Sequence, residues 1–514
     1  MDLNFMKKLP VVTAYTRKGK VLVVFLRGLL GILHLFMGRK WATPPPFFHD
    51  DPRHYMTRDL LFFAYKYYFK SPEKGEITEG AKISAEDFFK QHPPTFSTDF
   101  LGENEQIDRK ITLTAAGDLM PYAWIQPQFC ENLWDDIGDD FFSSDITFAN
   151  LETPICFEDQ PSLVPEVMLN DMRFNGDSEM FSIFNPTEKT PQYFIKKYNK
   201  KWSFDILSTA NNHSLDMGEQ GVFDTMGFLE HKEILHVGTA HSKENRSKIP
   251  IIERNGIKIA FVAYTFSMNQ LTNPEGKEWL VNHLEVNQPD VDLSVLIQDI
   301  ARAKQQNADL VVLSLHYGNA YQAYPCNHII ENTKRIFDEC GPDIILGGHP
   351  HNIQPMACYP FVCPHTGAEK RGFVIFSMGD FVAYDIFNWC HLPVYLKLEI
   401  SQISRKNAAD TEGVNDFGLG MSDVGKAAEI RNPKSEIKNT EGSSKQTILT
   451  KVEAIPVYTC GVYKSEKNKE LRFLDARKTL NLIEKGEKPP FMTAWNVREL
   501  TSLMEFYKAF FAKI

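Results

Sequence analysis

Cysteine is scarce in this 514-residue chain: eight residues, at positions 130, 156, 326, 340, 358, 363, 390 and 460, are too thinly spread to staple a small secreted domain. Cys358 and Cys363 with His365 are the tightest group, but no second CxxC follows, so they read as ordinary thiols rather than half a zinc site. An excess of positive charge is lacking as well. Lys plus Arg number 56 against 66 Asp plus Glu, a net charge of −10, which argues against phosphate neutralisation, and no nucleic-acid partner is expected. The chain has no strand-GxSxG-helix elbow, no Walker A loop, no GxGxxG opening a βαβ unit and no internal repeat. Extremes of composition are absent too: 43% hydrophobic and 24% charged residues argue against a disordered chain, a fibre or a polytopic membrane protein.

What is present divides into four stretches. Residues 1–108 form an N-terminal helical, membrane-associating region. Within it Val21 to Gly38 is an 18-residue apolar run, just long enough for a spanning helix. Lys20, Arg27 and His34 recur every seven residues as one polar stripe, and basic residues flank both ends, so residues 19–40 fit a helix lying in the membrane surface better than a span. Arg39-Lys40-Trp41 stands where a cleavable signal would need small residues. A span and a buried soluble helix are the alternatives. The expected location is therefore at a membrane, peripheral or N-terminally anchored and on either side, with the cytoplasm as alternative. Arg58 to Phe69 is helical in period.

From residue 109 to 402, short β-branched runs alternate with helical stretches: ITLTAA, DITFA, FDILSTA, ILHVG, IKIAFVAY, ADLVVLSL, PDIILG and GFVIFS. That rhythm predicts an α/β domain. Residues 403–447 read as a flexible low-complexity insertion. Residues 448–514 read as a closing strand followed by C-terminal helices, with Leu471 to Ile514 mostly helical.

Five of the predicted strand ends carry metal-ligand side chains. They are Asp118 in AAGDLM, Asn150 and Glu152 in FANLE, Asn212 and His213 in TANNHSLDMG, His316 in LSLHYG, and His349 with His351 in GGHPHNIQ. Carboxylate, amide and imidazole donors together suit a borderline divalent ion such as Mn²⁺, Zn²⁺ or Fe²⁺, and one or two ions fit the set. Any one of these residues alone reads as a hydrogen-bonded turn or core residue. Ligand types at successive strand ends point to a joint site, because open α/β sheets bind ligands beyond the carboxyl ends of their strands.

In motif order these residues resemble the CapA-type poly-γ-glutamate capsule synthesis proteins, whose domain is similar to calcineurin-like metallophosphoesterases. The likeness runs from Ile111 to Phe381 through Gly117-Asp118, Asn150-Leu151-Glu152, Asn211-Asn212-His213 with Asp216 and Gly218, the HVGTA turn, His316-Tyr317-Gly318, Gly348-His349-Pro350-His351 and Ser377-Met378-Gly379-Asp380-Phe381. It implies an α/β fold: a metallophosphoesterase-like double β-sheet sandwich flanked by helices, with the metal centre at the strand ends. It also implies roles. Asp118 and His351 would bind metal one, Glu152 would bridge, and Asn212, His316 and His349 would hold metal two. His213 would be the acid that protonates a leaving oxygen, and we expect Asp216 to orient its ring. Asn150 is open between metal two and a hydrogen bond that fixes Glu152.

Three positions depart from the family pattern: Met120 where a His is expected, Ala320 where a Glu is usual, and Asp380 in place of Asn. Phe381, Tyr384, Tyr317 and Tyr321 line a substrate groove or pack in the core. The implied function is a divalent-metal-dependent hydrolase of poly-γ-glutamate or other cell-envelope polymer synthesis, acting through a metal-bound hydroxide on a phosphoester or an amide. The alternative is a non-catalytic, metal-stabilised scaffold of a membrane-bound synthesis complex. A polyanionic or cell-envelope polymer is the expected partner in either case.

Overall fold

The computed structural model describes residues 28–29, 31–32, 35–36, 85–94, 96, 105–164, 167, 173–186, 202–385, 388–405, 445–465 and 468–511. The helix predicted at 58–69 and nearly all of the insertion at 403–447 lie outside these residues. Of the 19–40 run only 28–29, 31–32 and 35–36 are described, all helical. Among the described residues no helix is long and apolar enough to cross a membrane.

All eight β-branched runs become strands. In chain order the strands are β1 (Glu105–Leu119), β2 (Ile146–Leu151), β3 (Ile206–Ser208), β4 (Leu235–Val237), β5 (Ile251–Arg254), β6 (Ile257–Thr265), β7 (Leu310–His316) and β8 (Ile344–Gly348). They continue as β9 (Ile353–Val362), β10 (Glu369–Met378), β11 (Asp380–Val382), β12 (Val394–Arg405), β13 (Gln446–Ser465) and β14 (Asn468–Asp475). Helices packed around them include α1 (Ala85–Gln91), α2 (Ser178–Phe184), α3 (Gly218–His231), α4 (Ser294–Gln305), α5 (Asn327–Arg335), α6 (Ala476–Glu484) and α7 (Ala494–Phe511).

Two sheets result. One runs β14-β13-β12-β1-β2-β3-β4, with β11 added beside the end of β1; the other runs β5-β6-β7-β8-β10-β9. Strands β1 to β4 pair in parallel, as do β6, β7 and β8, so their carboxyl ends face one edge. This is the α/β double-sheet sandwich flanked by helices that the resemblance implies.

The strands alternate sides. Leu113, Ala115, Ile146 and Phe148 join Ile259 and Phe261 in the core between the sheets, whereas Ala116, Leu119, Ala149 and Leu151 join a second cluster on the outer face. Phe148 of β2 lies parallel to Phe261 of β6, ring centroids 6.0 Å apart, and so joins the two sheets. Both faces of the first sheet are thus buried, as the continuous apolar runs require.

The tail is mostly helical but opens on a strand. Leu471 to Asp475 is strand, because Leu471 and Phe473 alternate with Arg472 at period two and both join the outer cluster while pairing with β13. Helix begins only after Asp475, whose carboxylate caps α6 by accepting from the Arg477 and Lys478 amides. Strands β13 and β14 therefore complete the main sheet. Replacing Phe148 with Ala should cost about 3–5 kcal/mol, the usual range for emptying a buried aromatic site. Urea unfolding followed by circular dichroism should show a lower midpoint with an unchanged slope.

Candidate metal centre

Asp118 ends β1 with no exposed surface. Its Oδ1 accepts from Asn150 Nδ2 at 2.8 Å and its Oδ2 from the His349 amide at 3.1 Å, so strands β1 and β2 and the turn after β8 are tied to one carboxylate. The backbone must come close to leave that carboxylate room. A Cβ at Gly117 would stand 1.9 Å from the Gly379 carbonyl oxygen, and one at Gly348 would stand 2.7 Å from Asp118 Oδ1. Glu152 follows β2, also fully buried, and neither of its oxygens has a hydrogen-bond partner among the described residues.

His316 ends β7 between these carboxylates. Asn150 Nδ2 lies 3.3 Å from its Nδ1, so the network assigns the ring proton to Nε2, which donates to Asn212 Oδ1 at 2.8 Å. Nε2 is also 3.4 Å from Glu152 Oε1. His349 packs its ring 5.0 Å from that of His316 and 4.7 Å from Phe266. His351 Nδ1 meets Asp380 Oδ1 at 2.9 Å, while Asp380 Oδ2 is buried with no hydrogen-bond partner among the described residues. His349 and His351 sit at φ 91° and 61°, a left-handed backbone that costs roughly 1–3 kcal/mol per residue and gathers at functional sites.

Three sets of ligand atoms each lie within 4.8 Å of one another: Asp118, Glu152 and His316; Glu152, His349 and His351; Asp118, His351 and Asp380. Glu152 is common to the first two, as a bridging position requires. The sets do not reproduce the division that puts His316 and His349 together. His316 groups with Asp118, and His349 with His351. Asn150 holds Asp118 rather than Glu152, and Asn211 Nδ2 in turn reaches the Leu151 carbonyl at 2.7 Å, tying the turn after β3 to β2.

Beside these groups, His213 Nδ1 meets Asp216 Oδ2 at 2.6 Å, and the ring stacks on Phe174 with centroids 3.6 Å apart. The Phe174 amide donates to the same carboxylate oxygen.

Burial governs the charges. It raises Asp118 to about 6, helped by repulsion from Glu152, and raises Glu152 as well. It lowers His316 to about 3 and takes His349 well below its ordinary value. Burial also works against a His351 cation, but the Asp380 carboxylate overcomes it and His351 is raised to about 10. The neutral imidazoles of His316 and His349, two raised carboxylates and buried oxygens without donors among the described residues are a donor set a divalent cation fits, and His351 would have to give up its proton to join it.

Met120 takes no part, since its side chain lies in the apolar cluster on the outer face of the sheet. Ala320 is buried and supplies no carboxylate; Asp380 is the one that reaches His351. Of the four aromatics, Phe381, Tyr384 and Tyr317 belong to the cores. Tyr321 stacks on His351 at 5.2 Å and so borders the centre. Asn269, whose Oδ1 accepts from Asn212 Nδ2 at 3.1 Å, is not predicted from sequence, because it lies in a loop after β6 without any motif. Cys358 and Cys363 are buried free thiols, and His365 Nε2 bonds the Cys340 carbonyl instead of facing them.

The family model for bacterial capsule synthesis protein PGA_cap matches residues 112–385, just over half of the chain. The chain belongs to this family. Similar relatives within it include the PGA biosynthesis protein CapA of Bacillus subtilis, 27% identical over 281 residues, or 54% of this chain and 64% of that protein. The capsule biosynthesis protein CapA of Bacillus anthracis is 27% identical over 294 residues, 54% of this chain and 60% of that protein. The match thus spans less than two thirds of either relative. Solved structures similar to this PGA_cap chain include the calcineurin-like phosphoesterase YfkN of Bacillus subtilis, 12% identical, covering 79% of this chain and 98% of that one with a TM-score of 0.32.

The metal-free protein should carry the electrostatic cost of Asp118 as a pH dependence. With its folded value raised from 3.8 to about 6, the stability that this group contributes is complete below pH 3.8 and is lost as pH rises through 6. The loss is about 3 kcal/mol. Asp118→Asn should remove that part of the slope, making the chelator-treated variant more stable than wild type at neutral pH. Added Mn²⁺ or Zn²⁺ should then stabilise wild type and not the variant, as read by urea unfolding at each pH.

Proposed function

We propose that this chain is a divalent-metal-dependent hydrolase acting in the synthesis of poly-γ-glutamate or another cell-envelope polymer. The observation that carries the proposal is the convergence of two ligand sets on Glu152, whose buried oxygens have no hydrogen-bond partner among the described residues and which feels the charges of the His213–Asp216 pair. Asp118, Glu152, Asn212, His316, His349 and His351 would hold one or two ions of Mn²⁺, Zn²⁺ or Fe²⁺, with Asp380 acting on His351 and Asn150 on Asp118. A bound divalent ion supplies a water acidified towards a pKa of about 7 and polarises a phosphoryl or carbonyl oxygen.

The chain's own residues supply the proton. Asp216 would accept the Nδ1–H of His213 and orient the ring, so that its Nε2 faces the departing oxygen or nitrogen to which it would deliver a proton. The stack on Phe174 fixes the plane of the ring. A proton carrier held by a buried carboxylate serves turnover rather than metal retention. That distinction is measurable.

His349→Ala and His351→Ala should each lower the metal content of purified protein and abolish hydrolysis of phosphoester or γ-glutamyl model substrates. His213→Ala should keep the metal and lose turnover by roughly 10²–10⁴-fold. Elemental analysis and rate assays on the same samples check both; loss of metal in His213→Ala would make it a ligand or structural residue. Met120, in the apolar cluster, favours a second reading, a metal-stabilised scaffold without turnover. Under that reading ligand variants would lose stability and partner binding together, with no hydrolysis in any metal.

We place the protein at a membrane surface through residues 19–40, whose polar stripe and flanking basic residues suit an in-plane helix. Removing residues 1–40 should release the protein from sedimented membranes into the supernatant. Retention in the pellet would exclude this segment as the anchor.

A further inference from the structure

The HVGTA turn, part of the family resemblance, contributes nothing to the deep centre. Its first residue, His236, lies in β4, the edge strand of the first sheet, and His241 follows five residues later on the surface. Both imidazoles face the last turn of α3. Glu230 Oε1 lies 2.9 Å from His241 Nε2 and 3.3 Å from His236 Nε2, and the three ligand atoms all lie within 4.8 Å of one another. We propose that Glu230, His236 and His241 form a second cation site, which takes a borderline divalent ion such as Zn²⁺, Ni²⁺ or Cu²⁺.

Three features carry the proposal. The donors come from three separate elements, a helix end, an edge strand and the turn after it, and converge on one point. Two imidazoles and one carboxylate select a borderline transition-metal ion over Ca²⁺ or Mg²⁺, which prefer oxygen ligands throughout. The position also favours positive charge. Glu230 is the penultimate residue of a 14-residue helix, and the carbonyl end of a helix attracts cations.

The local structure prepares both rings. Phe223, one helical face along α3, lies parallel to His241 with centroids 5.9 Å apart and interplanar angle 7°, fixing the plane of the ring. Burial lowers the pKa of His236, so this ring is neutral at pH 7, the form that binds metal. Burial opposes the Glu230 carboxylate, but hydrogen bonds from both imidazoles overcome it and hold Glu230 below its usual range. Glu230 and His241 keep 52% and 37% of their side-chain surface exposed, so an ion here exchanges with solution and has coordination positions left for water. The site shares no residue with the deep centre. It would clip the end of α3, the helix that starts just after the His213–Asp216 turn, to the edge strand.

Equilibrium dialysis of the full chain against low-micromolar free Zn²⁺, with bound metal counted by elemental analysis, tests the proposal. His241→Ala and Glu230→Gln should each bind one equivalent fewer than wild type. Both positions are exposed enough that the metal-free melting temperature should stay unchanged, so the lost equivalent would not reflect unfolding. His236→Ala/His241→Ala should lose the same single equivalent and no more. Equal binding by wild type and all three variants would overturn the proposal, leaving Glu230 as a hydrogen-bond acceptor between two imidazoles. A failed proposal for the deep centre would lower binding in wild type and variants alike and leave the difference between them intact.

Discussion

Two carboxylates, Asp118 and Glu152, are held without solvent in the same few ångströms, and the rest of the strand-end architecture is organised by that constraint. Neither burial nor like charge favours their ionised forms, and both are accordingly raised. Protein donors relieve only Asp118, through the Asn150 amide and the His349 N–H. Glu152 has no hydrogen-bond partner among the described residues, and the nearby His351 and His213 offset its burial only in part. A fold optimised for stability alone would fill this space with apolar side chains, as it does on the outer face of the same strands.

Holding that arrangement requires the backbone to be unusual where it matters. Gly117 and Gly348 open the space that their Cβ atoms would fill, and the His349 and His351 φ angles lie where L-residues are uncommon. The turn after β8 keeps this conformation because it is bound on both sides. The His349 amide bonds to Asp118, and the His351 carbonyl accepts from the Asp380 amide at 3.3 Å. Strand β11, only three residues long, sits beside the end of β1 in register Asp118↔Asp380 and carries the carboxylate that reaches His351. Position and charge at the centre are therefore set by the same few residues.

Much of this is legible in the sequence because parallel strands buried on both faces read as plain apolar runs, and a polar residue that ends such a run can only face the open edge. Asp118, Glu152, His316 and His349 all follow that rule. What the rule does not convey is who touches whom. Asn150 sits two residues before Glu152 in sequence, but it lies inside β2 in register with Asp118 and bonds that carboxylate, whereas Glu152 follows the strand's end. Asn269 and Phe174 come from loops, where no period marks a side chain as facing the site, and only the fold brings them to Asn212 and His213. Leu471 to Asp475 is too short to stand out at the head of a mostly helical tail, and pairing with β13 shows its period of two.

The chain beyond the matched family region is joined to the centre by buried polar contacts, not by apolar packing alone. His391 Nδ1 meets Glu499 Oε1 of α7 at 3.0 Å, and its Nε2 bonds the Asp385 carbonyl at 2.8 Å. Tyr458 of β13 donates to the other oxygen of Glu499. Asp385 accepts in turn from Tyr122 OH at 2.6 Å, on the segment that leaves β1 past Asp118. Burying an acid and an imidazole together costs more than burying two aliphatic side chains of the same size, and the gain is direction, since hydrogen bonds fix an angle that apolar contact leaves free. The segment that carries Asp380 is thus held at its far end by a helix more than a hundred residues later in the chain. For this reason the C-terminal strands and helices belong to the architecture of the centre, although none of the candidate ligands lies in them.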